Sequence, residues 1–324
     1  MATTRAKARA RARELRGRLL SRELQQLERV RRGLQRGEID VLLLGDSTCL
    51  TAAARDTDLR MIPELLSGEL GGARVAAISG PGFNPVLHAE MLRVLSLLEQ
   101  RPAAVVVSSV VRTSMTQVAG HPVYRYPEVL AALSRISNGE RRIRSIGHGA
   151  NPQPEDYAAF DEVELTTTWS GRTTIGQLRH PLKGLGPHPW PLEQQKRLFD
   201  YFHGEVLDPG APVVDAWRLF GTRLRQYGVP VVSYHAPPPL PHGERLYPGE
   251  FIATHEAKWS VFKAALRADA GEMLTMVEPV FGEDDFEFGP NGTEHYSFSG
   301  RQLIAESVAA ALREAGVGDA VAAR

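Results

Sequence analysis

Residues 41–50 read VLLLGDSTCL, and the fold turns on how this stretch is read. Four aliphatic side chains in succession leave no polar face, which is the pattern of a strand buried on both sides in a parallel sheet. The Gly45-Asp46-Ser47-Thr48 that follows then stands at the strand's carboxyl end, where open α/β sheets bind their ligands. Two roles compete for the hydroxyls there. Asp46, Ser47 or Thr48 suits the cap of a helix expected to start near Ser47 or Thr48, because such side chains accept hydrogen bonds from the free N–H groups of a first turn. Ser47 is equally well placed to be a nucleophile.

Working outward, RVAAIS (74–79) is a second buried strand, stopped by Gly80-Pro81-Gly82, and VLHAEMLRVLSLLEQ (86–100) has helical periodicity. AAVVVSSVV (103–111) is a third strand. Strands separated by helices of suitable length indicate an α/β fold, a three-layer, doubly wound sandwich around a mostly parallel sheet. Regular order resumes with a helix over 211–227, the strand VPVVSYH (229–235), a helix over 252–270, a last strand in EMLTMVEPVF (272–281) and an amphipathic helix from Ser299 to Ala315. Between them, residues 120–210 scatter Pro, Gly and His, with short helices expected at 127–136 and 191–205. Ninety residues of structureless loop would be foreign to a compact domain, so this insertion is expected to fold over the sheet as a lid or substrate subdomain. The α/β domain is thereby assigned to 39–119 and 211–316, with a tail at 317–324.

The charge total is balanced, 38 basic against 38 acidic residues, which gives no ground for a specific nucleic-acid partner. The balance hides a basic start. Before residue 38, arginines from Arg5 to Arg36 face only Glu14, Glu23 and Glu28 as acids, while Leu15, Leu19, Leu20, Leu24 and Leu27 recur at helical spacing. An amphipathic helix over 1–38 is expected, its apolar stripe packed on the body or a protein partner and its basic face open to solvent or an anionic surface. No apolar run reaches the roughly 20 residues that span a bilayer. With no signal-like apolar segment at the start either, a cytoplasmic location is the expectation. The single cysteine, Cys49, excludes an intrachain disulfide and is read as a small buried apolar residue.

The chain resembles the SGNH hydrolase superfamily, the GDSL esterases and lipases, through three blocks in order. LLLGDST (42–48) matches the first, with Ser47 at the nucleophile position; AISGPGF (77–83) matches the second, with Gly80 at an oxyanion-hole position; and NGTEHYSFSGRQLIAESVAAAL (291–312) matches the last, with His295 at the general-base position. The resemblance implies an acyl-enzyme on Ser47, with the Ser47 and Gly80 N–H groups as oxyanion donors. The family's third block supplies an Asn, whereas this strand ends in SSVVRTS (108–114), so Arg112 or Ser109 takes that place and Asn84 is a second candidate donor. The family's Asp three residues before the His is Gly292 here. His295 is then left to be oriented by Glu294, Asn291, Asp285 or a backbone carbonyl, or to act in a Ser-His dyad.

A weaker similarity, in VPVVSYHAPPPLPHGERLYPGEF (229–251), is to SGNH-like cell-envelope acyltransferases. The expected function is therefore a serine esterase or deacylase acting on an acylated small molecule or glycan. The alternatives are an O-acyltransferase to a hydroxyl acceptor and a non-catalytic binding or assembly protein. The remaining histidines show no metal-ligand spacing, and neither a metal nor an organic cofactor is expected. The acidic run Glu283, Asp284, Asp285, Glu287 reads as a solvated turn, and GELGGAR (68–74) does not match a phosphate loop.

Overall fold

The computed structural model describes residues 22–121, 126–138, 154–185 and 190–317. The strand read from VLLLG is β1, Val41–Gly45. It is followed by β2, Val75–Ser79, β3, Ala104–Ser109, a short hairpin of β4, Glu164–Thr167, and β5, Gly171–Thr174, then β6, Val231–His235, and β7, Leu274–Val277. Five of these form one sheet in the order β2-β1-β3-β6-β7, every pairing parallel. The order reverses between β1 and β3, so a crevice opens at their carboxyl ends.

Alternation along the strands divides the core. Leu42, Leu44, Val105, Val107 and Ile78 face one layer, where helices Arg22–Gln35, Pro85–Leu95, Pro212–Tyr227 and Phe251–Ala270 bury their apolar sides. Val41, Leu43, Val106, Val232 and Tyr234 face the other, covered by helices Ile62–Glu69 and Phe298–Glu314. The chain is thus an α/β sandwich with a parallel five-stranded sheet between two helical layers, as its strand spacing implied.

Of the N-terminal segment, residues 22–38 are described. Helix Arg22–Gln35 buries Leu24, Leu27, Val30 and Leu34 against the body, so its apolar stripe is a packing face. Leu15, Leu19 and Leu20 lie outside the described residues, as do tail residues 318–324. No helix among the described residues is long and apolar enough to cross a membrane.

The 120–210 region is built from helices Pro127–Ser137, Pro154–Asp161, Ile175–Arg179 and Leu192–His203 with the β4–β5 hairpin. Phe160, Leu165, Ile175, Leu178 and Tyr201 form a small core of its own. Two other expectations need correction. No α-helix starts at Ser47 or Thr48; a single 3-10 turn, Ser47–Cys49, stands there, and the next α-helix is Ile62–Glu69. The strand expected over 272–281 is confined to β7, because Pro279 cannot donate to the ladder.

Candidate active site

At the end of β1 the capping role falls to Asp46. Its Oδ1 accepts from Thr48 N at 3.0 Å and from Thr48 Oγ1 at 2.7 Å, which caps the 3-10 turn. The Ser47 hydroxyl is left out of that cap and is only half-buried. Gly45 is required just before it, because a Cβ there would meet Cys49 Sγ at 2.4 Å. Cys49 itself is buried, 3.2 Å from Tyr234 Oη, and burial pushes its thiol up to about 12. It stays a protonated packing residue.

The other half of the pair arrives from far along the chain. His295 Nε2 lies 3.3 Å from Ser47 Oγ. The segment carrying it is extended and laddered onto 285–287: Glu287 N donates to His295 O at 2.8 Å, Ser297 N donates to Asp285 O at 2.9 Å, and Phe286 bridges Tyr296. Successive side chains of an extended segment point to opposite sides, so Glu294 and His295 part company. His295 turns to Ser47, whereas Glu294 is fully buried and accepts from Arg112 Nε at 2.6 Å.

The same ladder brings a residue that the sequence reading left in a solvated turn. Glu287 Oε2 lies 3.5 Å from His295 Nδ1, on the far side of the ring from Ser47. Of the three orienting candidates read from sequence, none contacts the His295 ring among the described residues. Glu294 is held by Arg112, Asn291 accepts from Thr293 N and Oγ1, and Asp285 accepts from Ser299 Oγ and Gly282 N. Glu287 was missed because its place depends on the pairing of two segments eight residues apart, which no local motif encodes. Burial, then the nearby Asp56 charge, raises its carboxyl above the usual range. His295 is drawn down to about 4 by burial and by the Arg112 charge, which keeps the imidazole neutral and able to accept a proton near pH 7.

Gly292 stands where the sequence resemblance leads one to expect an Asp. Its φ is +65°, and a Cβ would come within 3.2 Å of the Phe199 ring. A side chain is disfavoured there on both counts.

The candidate oxyanion donors differ in placement. Gly80 follows Ser79, which is the register partner of Gly45, so its turn opens at the same edge of the sheet as Ser47. A Cβ on Gly80 would meet the Phe83 ring at 2.5 Å. Arg112 lies on the 3-10 turn Val111–Ser114 after β3, with its guanidinium 4.9 Å from the Phe202 ring centre. Asn84 has a structural duty: its side-chain oxygen accepts from Leu87 N and caps helix Pro85–Leu95. It also lines a mostly apolar cavity of about 350 Å³ with Ser114, Leu130 and Val213. Ser109, the other reading for the third block, is buried against Ser233 at 2.7 Å.

His235, at the end of β6, is not part of this group. It stacks on Trp259 at 4.1 Å and approaches His255 at 3.1 Å between the Nε2 atoms, and burial draws it down to about 3. Among the described residues no three His, Cys, Asp or Glu side chains are grouped so as to hold a metal ion.

No family model and no curated protein matches the sequence. Among solved structures, one similar chain is a carbohydrate esterase family 2 enzyme plus carbohydrate binding domain from Corynascus thermopiles (Myceliophthora fergusii), with a TM-score of 0.40 and 12% identity over 85% of this chain and 67% of that one.

Proposed function

We propose that the chain is a serine esterase or deacylase of SGNH type, with Ser47 as nucleophile, His295 as general base and Glu287 as the acid that orients it. The observation that carries this reading is the line Glu287–His295–Ser47, with contacts of 3.5 and 3.3 Å on opposite ring nitrogens, at the carboxyl ends of a parallel sheet. Nucleophile, base and orienting group in that sequence form the constellation by which acyl-transfer sites are recognised on unrelated folds.

In this reading the Ser47 hydroxyl attacks the ester carbonyl carbon while its proton passes to His295 Nε2. The carbonyl oxygen, now negative, is met by the Ser47 and Gly80 N–H groups and by the Arg112 guanidinium. The imidazolium, stabilised by the Glu287 carboxylate, returns its proton to the departing alkoxide as the C–O bond breaks. Water then attacks the acyl-Ser47, gives its proton to His295, and the acid leaves as the Ser47 hydroxyl is restored. An acylated small molecule or glycan is the substrate class proposed.

A serine-directed fluorophosphonate probe tests the reading directly. Wild type should be labelled and should hydrolyse p-nitrophenyl acetate, while Ser47→Ala should do neither and His295→Ala should lose about 10²–10⁴-fold in rate, the usual worth of general-base catalysis. Absence of labelling in the wild type would refute it. Acceleration by added hydroxyl acceptors, with acyl product on the acceptor, would assign the same acyl-enzyme to transfer.

A further inference from the structure

The last turn of helix Leu192–His203 reaches both halves of the candidate site. His203 Nε2 lies 2.6 Å from the carbonyl oxygen of Gly292, three residues before His295. Phe199 of the same helix packs beside Gly292, and the Phe202 ring lies under the Arg112 guanidinium at 4.9 Å. We propose that this helix braces the site from the insertion, with His203 as a positioning residue that fixes the His295 loop through Gly292. The proposal rests on the reading of Ser47 and His295 given above.

The direction of the bond follows from chemistry. A carbonyl oxygen only accepts, so His203 carries its hydrogen on Nε2. Burial holds His203 far below the ordinary imidazole range, and the charges of Arg112, His255 and Lys258 act in the same sense, so the ring is neutral and its tautomer fixed. The helix end is itself held. Lys258 Nζ, from helix Phe251–Ala270, donates to the His203 carbonyl, and Gln117 Nε2 donates to Tyr201 O at 2.6 Å. Below that end, Thr116 N and Oγ1 donate to Glu205 at 2.7 and 2.6 Å. The brace therefore runs from the sheet layers, through the insertion, and back to the loop that presents the base.

The need for a brace is geometric. At 3.3 Å the Ser47–His295 contact is already at the long end for a hydrogen bond, so a small outward shift of the loop breaks it. The groups facing His295 are Ser47, Glu287 and Arg112, with Asp56, Arg55 and Arg301 beyond Glu287. A loosened loop admits water to the ring and relieves the burial that depresses its basicity.

The test uses the full chain and three variants. His203→Leu removes the donor, His203→Asn shortens its reach, and His203→Gln keeps an amide N–H near the position of Nε2. With p-nitrophenyl acetate, His203→Leu and His203→Asn should lose about tenfold to a hundredfold in kcat with KM little changed, since misplacement of a reacting group by about 1 Å has that scale of effect. The acid limb of kcat/KM should move up towards the ordinary histidine value of about 6.5. His203→Gln should restore both. If His203→Leu does not fold, the Asn and Gln pair carries the comparison alone.

A second readout is independent of turnover. The ring ¹⁵N shifts of His295, followed against pH, should show a higher midpoint in His203→Asn and a return in His203→Gln. An unmoved midpoint and acid limb, or a Gln variant as impaired as the Asn variant, would overturn the brace. If wild type takes no fluorophosphonate label, the esterase reading fails by itself, and the His295 titration still decides the positioning role.

Discussion

Ser47 and His295 are residues whose neighbours announce them: a buried strand ending in Gly-Asp-Ser, and a His just before an amphipathic helix with a Gly in its first turn. Glu287 has no such announcement, because it gains its position only when 285–287 ladders onto 295–297. Glu287→Gln keeps the shape of the side chain and removes the charge that favours the imidazolium. The rate should fall towards the lower end of the ~10²–10⁴-fold that general-base catalysis contributes, since the dyad still moves the proton. Loss of the negative charge also makes His295 harder to protonate, so the acid limb of kcat/KM should shift to lower pH, opposite to the effect of loosening the loop. An unshifted limb with an undiminished rate would remove Glu287 from the site. At the same scale, Glu294 is adjacent to His295 in sequence yet points away from it, which is why neighbours in a chain are poor guesses for partners in a triad.

Elements were legible in proportion to their burial. β1, β2, β3 and β6 are near-continuous apolar runs, and their positions in the sequence match the strands closely. The β4–β5 hairpin escaped the reading because ELTTTWSGRTT offers almost no apolar alternation; only Leu165 and Thr167 of β4 are buried, and the hairpin is stabilised by the small core of the insertion. The turn Gly289–Asn291, ending in Gly292 at φ +65°, leads directly into the segment that carries His295. Gly292→Ala places a Cβ in a left-handed residue and against Phe199, so it should lower stability by about 1–2 kcal/mol in denaturant melts and reduce kcat along with it. Gly292→Asp, which introduces the acid that the sequence resemblance suggests, should be no better, because the backbone there presents its carbonyl to His203 and its side-chain direction to Phe199. Recovery of full activity with Asp would show that the position, and not the ladder, chooses the orienting acid.

In the whole molecule the insertion has a small core of its own and joins the body through apolar contacts, with Val129, Ala132 and Leu133 in the main core and Phe199 packed on Phe251, and through a seam of polar groups at the end of helix Leu192–His203. Lys258 sits in that seam, buried on helix Phe251–Ala270 and donating to the His203 carbonyl, with Glu205 and Asp200 near enough to favour its charged form. Burial outweighs them and draws the ammonium down to about 8 from an ordinary 10.5. The sign of the consequence follows from proton counting. Between pH 8 and 10.5 the unfolded chain binds a proton at this lysine that the folded chain has shed, so stability rises with pH across that window. The slope from this lysine across the window is at most about 1.4 kcal/mol per pH unit. Above about 9 the buried Cys49 thiol opposes it, because a thiol pushed up to about 12 holds its proton longer in the folded state, and above about 10 Tyr227, also pushed up to about 12 by burial, adds to the loss. Urea unfolding measured from pH 7.5 to 9 should therefore show wild type gaining stability relative to Lys258→Met, which is similar in length and uncharged. A wild-type curve parallel to the variant's would mean that water reaches the Lys258 ammonium and that the seam around it is more open than its burial implies.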